Sequence, residues 1–173
     1  MLQPRLAGVL GLLLLTSCTC GRAHAQSAEP TLLGRFNDWA AYTYKVPDTQ
    51  VCYISSRPKT TEPKSVKRDP AYFLVTHMPG RKVRGEIMTI IGYAFKQDSS
   101  VELKVDDAAF ELFSNTDGAW AGTTDMEKQI VTAMKSGKSL SLKGTSWRGT
   151  ETLDTYSLEG VSAALAKIDE ACK

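Results

Sequence analysis

The chain has 173 residues, 42% of them apolar and 23% charged, with 13 glycines, 7 prolines and a formal net charge of +2. That is the make-up of one ordinary globular domain, and it excludes collagen-like, disordered and multidomain readings. The excess charge lies in residues 1–25, which hold fourteen apolar residues and two arginines but no acid; the rest of the chain balances nineteen basic against nineteen acidic side chains, so charge gives no argument for a nucleic-acid partner.

In chain order, Arg5 precedes an apolar run over 6–15, and Ala23-His24-Ala25 is a small-x-small cleavage pattern. Together they predict a signal peptide over 1–25 and a periplasmic or secreted protein. The run falls short of the roughly 20 apolar residues of a membrane span, so no transmembrane segment is expected after cleavage. Leu15-Thr16-Ser17-Cys18 also fits a bacterial lipoprotein pattern, in which Cys18 carries the anchor. Cleavage after Ala25 leaves Cys52 and Cys172 as an even pair for an oxidising compartment, whereas lipidation at Cys18 leaves Cys20 as an odd thiol. Both routes stay open.

Residues 26–35 are polar and small, with Pro30, and are expected to be a disordered leader to a single domain over 36–173. Short β-rich runs follow at 39–44, 50–56, 71–77, 86–93, 101–105, 109–113, 139–144 and 152–158, separated by Pro and Gly signals. Val101-Glu102-Leu103-Lys104-Val105 alternates as a half-buried strand requires. Two segments are helical instead. Thr124-Asp125-Met126-Glu127 has capping-box spacing ahead of an apolar stripe at Met126 and Ile130, with Gly137 as the stop. Val161, Ala164, Leu165, Ile168 and Cys172 recur at spacings of three and four. The predicted fold is α+β, mainly β: an antiparallel sheet or sandwich of about eight short strands with two helices packed on it. With Cys172 on the buried face of its helix and Cys52 in a strand, a Cys52–Cys172 disulfide is expected to close a loop of about 120 residues, contributing about 4 to 5 kcal/mol.

His77 is the only histidine outside residues 1–25, which leaves one imidazole for any nucleophilic mechanism, and it reads as a strand-end residue. Gly137-Lys138-Ser139 lacks the upstream glycine of a phosphate loop, and no nucleophile elbow is present. Asp106-Asp107 and 115–118 read as turns. The sequence therefore predicts no enzyme, no catalytic or metal-binding residues and no cofactor, with a hydrolase of envelope polymers as the alternative. Eight cations stand out: Arg57, Lys59, Lys64, Lys67 and Arg68 in one proline-broken loop, then Arg81, Lys82 and Arg84 in the next connection. They are either solvated loop surface or a contact face for an anionic partner, an envelope component such as lipopolysaccharide, an acidic glycan or an acidic protein patch. Trp120, and Trp147 beside Arg148, would add stacking surface, although a tryptophan in a small β-rich domain is more often core.

Phe36-Asn37-Asp38-Trp39, Val51-Cys52-Tyr53, the run 68–77, Gly118-Ala119-Trp120, Ala133-Met134-Lys135, the run 144–150 and the run 154–160 together resemble the invasion-associated locus B family over nearly all of 36–173. The resemblance implies a compact β-rich domain of a secreted or periplasmic bacterial protein, in a family associated with host-cell invasion in some pathogens and without catalytic residues to carry over. Longer members have a cysteine soon after the position of Trp39, where Tyr42, Thr43 and Tyr44 stand here, so their second disulfide is missing.

Overall fold

The computed structural model describes residues 29–173, and the expected signal peptide and Cys18 site lie outside the described residues. Eleven strands form one antiparallel sheet: β1 (Thr31–Phe36), β2 (Trp39–Val46), β3 (Thr49–Ser56), β4 (Thr60–Glu62), β5 (Tyr72–Met78), β6 (Val83–Ile90), β7 (Ser100–Val105), β8 (Ala108–Asn115), β9 (Gly118–Trp120), β10 (Ser139–Thr145) and β11 (Glu151–Ser157). Helix α1 (Thr124–Ser136) precedes β10, and α2 (Val161–Ala171) follows β11. The fold is mainly β as expected, but with eleven strands rather than eight. Of the three additional ones, β1 falls mostly in the stretch expected to be a leader, and β4 and β9 are only three residues long.

Strand order β1-β2-β3-β5-β6-β9-β8-β7-β10-β11-β4 dictates the shape. In a flat sheet the third and eleventh strands would lie eight spacings, about 38 Å, apart. Only residues 57–59 join β3 to β4, a connection that reaches about 14 Å at most. The sheet must therefore curl until its ends nearly meet. Hydrogen bonds mark the seam: Lys59 N donates to Thr155 O (2.7 Å), Asp38 N to Glu159 O (3.3 Å) and the Trp39 indole N–H to Ser157 O (3.0 Å).

Alternation sends Ile54, Phe73, Val75, Ile87, Leu103, Leu112, Leu142 and Tyr156 to the inner face, where they form one core. Phe73 of β5 meets Tyr156 of β11 edge-on at 6.0 Å, six places away in strand order, as only a curled sheet allows. The buried sides of both helices join the same core. α1 lays Ile130 and Met134 on β6, β7 and β8, and α2 lays Val161, Ala164, Leu165 and Ile168 on β1, β2 and β3. The cap of α1 is Thr123 rather than Thr124, its hydroxyl accepting from Met126 N at 3.2 Å. Cys52 and Cys172 are bonded, so the end of α2 is pinned to β3 as expected.

The leader expected over 26–35 is a strand from Thr31 onward. It pairs with β2, and Leu33 and Phe36 pack against the core, so strand pairing and two apolar contacts outweigh the stretch's polar composition.

Candidate functional site

The eight candidate cations do not form one face. Those of 57–68 lie at the start of β5 and Arg81, Lys82 and Arg84 at its end, six residues and about 20 Å apart along the strand. Arg81 pairs with Asp48 (2.8 Å), and Arg84 pairs with Asp169 (2.7 Å) while donating to the Cys172 carbonyl. Lys64, Lys67 and Lys82 are exposed.

Arg68 is the clearest correction. It is no surface contact: its side chain is 9% exposed and forms an ion pair with Asp154 of β11, which is fully buried. One guanidinium nitrogen donates to Asp154 Oδ2 (2.8 Å) and to Ile91 O (2.8 Å), the other to Asp154 Oδ1, and the guanidinium lies 5.8 Å from the Tyr93 ring centre. The backbone places it there. Asp69 N donates to Gly92 O (3.0 Å), and a Cβ at residue 92 would come within 2.0 Å of Asp69 O, so only glycine lets the loop settle so closely. Burial pushes the Tyr93 hydroxyl above its ordinary pKa, opposed by its hydrogen bond to Thr152. These groups hold the loop to the sheet.

His77 is also committed. Gly85 N–H donates to its Nδ1 (3.0 Å), so the ring hydrogen is on Nε2, which faces Asp169 Oδ1 at 3.1 Å. Both nitrogens are occupied at the irregular pairing between β5 and β6, in register with Cys52 on β3. The site ties that irregularity to the end of α2.

A groove of about 490 Å3 opens on the seam, where β1, β2 and β3 meet residues 57–59. Its charged lining is Arg35, Arg57, Lys59 and Asp38. Lys59 Nζ bonds to Asp38 Oδ1 (2.7 Å) and holds that carboxyl below the usual range, leaving the two guanidiniums without an ion-pair partner among the described residues. Arg57 lies over the Tyr72 ring at 5.7 Å. Tyr42 stacks on Tyr53 at 5.1 Å, and burial beside Tyr42 and Tyr44 pushes the Tyr53 hydroxyl above its ordinary pKa. Two free guanidiniums beside aromatic rings suit a phosphate or carboxylate carried on a sugar: the planar fork reads the anion and the rings cover the apolar face of the sugar.

Sequence reasoning found Arg57 and Lys59 of this groove and missed Arg35, Tyr42 and Tyr72. Tyr42 and Tyr44 stand two residues apart in β2; that β1 and residues 57–59 come to the same place follows only from the curl. A larger cleft, about 670 Å3 beside β4, contains Glu62 and Glu151, but Glu151 stands 66% exposed against Lys143 (3.2 Å). Trp147, expected in the core, is 62% exposed at the β10–β11 turn with Arg148 over its ring at 4.8 Å. Among the described residues, no group of three or more His, Cys, Asp or Glu side chains is placed to hold a metal ion, and no helix is long and apolar enough to cross a membrane.

The sequence pattern of the Invasion associated locus B (IalB) protein family matches residues 39–169, most of the chain, and the chain belongs to that family. No curated protein and no solved structure matches it.

Proposed function

We propose that this member of the invasion-associated locus B family is an exported, non-catalytic binding module of the bacterial envelope that takes an anionic, sugar-bearing polymer into the seam groove. The groove carries the reading: three cations and one carboxylate converge with Tyr42 and Tyr72 over about 490 Å3. Export is supported by the Cys52–Cys172 bond, since structural disulfides persist in oxidising compartments. The absence of a catalytic role is supported by the commitment of His77 and Asp154 to structural partners.

The test is calorimetric titration of lipopolysaccharide into the domain at low and high salt. The expected result is binding that weakens steeply with salt and falls at least tenfold in Arg57→Ala, about 1.4 kcal/mol. Binding that is absent, or indifferent to both salt and Arg57→Ala, overturns the proposal. Release of sugar fragments by the wild-type protein would instead establish the hydrolase.

A further inference from the structure

On the outer face of the sheet four side chains stand in one cross-strand row: Leu74 opposite Met88, Met88 opposite Trp120, and Trp120 opposite Phe113. At about 4.8 Å per strand the row is about 14 Å long, and Tyr72 opposite Ile90 widens it. The Trp120 indole lies flat over Gly118, where an added Cβ would meet the ring at 2.5 Å, and it stacks on Phe113 with centroids 5.8 Å apart. Both helices pack their buried residues into the core, so among the described residues no helix covers this row; Phe113 is 55% exposed and Leu74, Met88 and Trp120 are half-buried. Contiguous apolar surface of this kind marks an interaction site.

The chemistry of the row and its rim selects the occupant. Leu74, Met88 and Ile90 offer no hydrogen bond to a sugar hydroxyl, which favours apolar protein side chains over a glycan. The rim is acidic. Glu86 lies two residues from Met88 and Glu111 two residues from Phe113, each on the same face, and a cleft of about 350 Å3 beside Phe113 includes Asp98 and Glu111 in its lining. None of these three carboxylates has an ion-pair partner among the described residues.

We propose that this outer face docks a basic amphipathic segment of another protein, its apolar side chains on Leu74, Met88, Trp120 and Phe113 and its lysines or arginines on Glu86, Glu111 and Asp98. The partner is opposite in charge to the ligand of the seam groove, so the two surfaces allow one molecule to bridge an anionic polymer and a basic protein.

The probe is a fluorescently labelled twelve-residue peptide of alternating Lys and Leu, followed by anisotropy, with an alternating Glu and Leu peptide as its counterpart. The lysine peptide is expected to bind, and Phe113→Ser and Glu111→Lys are each expected to weaken it at least tenfold. Asp125→Lys, an equal charge change on α1, and Arg35→Ala in the groove should leave it within twofold. Because Phe113 and Glu111 are exposed, both variants should fold, and unchanged circular dichroism checks this. The proposal is overturned by equal binding of the two peptides, by indifference to both row variants, by displacement of the peptide with a neutral oligosaccharide, or by a wild-type dimer that Phe113→Ser dissolves.

Discussion

Replacing Arg68 by Ala strands a charge. Asp154 has no exposed side-chain surface, and among the described residues Arg68 supplies its only ion pair. Removing one partner of a buried pair typically costs about 3 to 5 kcal/mol, because the remaining ion keeps its desolvation penalty without the attraction that offset it. A domain of this size is stable by about 5 to 15 kcal/mol, so the loss is a large fraction of the total. With a urea slope of about 2 kcal/mol/M, the midpoint should fall by about 2 M. Arg68→Met combined with Asp154→Leu removes both charges and should recover to within about 1 kcal/mol of wild type or exceed it. Urea titration by circular dichroism of both single variants and the double completes the cycle. The reasoning fails if Arg68→Ala costs less than about 1 kcal/mol, which would mean that water reaches Asp154.

Cys172→Ala should lower stability by about 2 to 5 kcal/mol, and adding Cys52→Ala should change little more, as non-reducing urea melts can establish. Among the described residues the Tyr156 hydroxyl is buried without a well-formed hydrogen bond, with the Thr89 hydroxyl its near polar neighbour, and burial, its largest influence, raises its pKa, so Tyr156→Phe should be neutral or stabilising in the same assay, whereas a cost above about 1 kcal/mol would reveal a bond to Thr89. His77→Leu leaves Gly85 N–H without its acceptor and should cost about 1 to 3 kcal/mol while leaving groove binding unchanged, because residue 77 is about 17 Å along β5 from Tyr72. The hydrogen bond from Lys59 depresses the Asp38 carboxyl, so its contribution is present above the unfolded value near about 3.9 and lost as pH falls through the lower folded value. Lys59→Met should flatten the stability profile over that window by less than about 1 kcal/mol, since Lys59 is 56% exposed.

Local signals read well in this chain because they depend on neighbours in sequence. The alternation at Val101 to Val105 set a strand, the spacing from Val161 to Ile168 set a helix, and the parity of Cys52 and Cys172 with their placement gave the disulfide. What failed depends on the curl. Arg68 read as one more loop cation because its buried partner, Asp154, is 86 residues away, and nothing local marks an aspartate in a strand as an interior counter-ion. β1 looked like a leader because its pairing with β2 and its packing under α2 are tertiary gains that override a weak local preference. The family resemblance was legible from the order of motifs such as Phe36-Asn37-Asp38-Trp39. The structure gives that motif a physical reason, since Asn37, Asp38 and Trp39 bond across the seam to Glu159, Lys59 and Ser157.

The most direct measurement of the proposed function is a nitrogen-15 NMR titration of the domain with delipidated core oligosaccharide from lipopolysaccharide. Shift changes concentrated at Arg35, Asp38, Tyr42, Arg57, Lys59 and Tyr72, fading as salt is added, are the expected result. An unchanged spectrum, or changes centred on the cleft between Glu62 and Glu151 instead, would contradict the account.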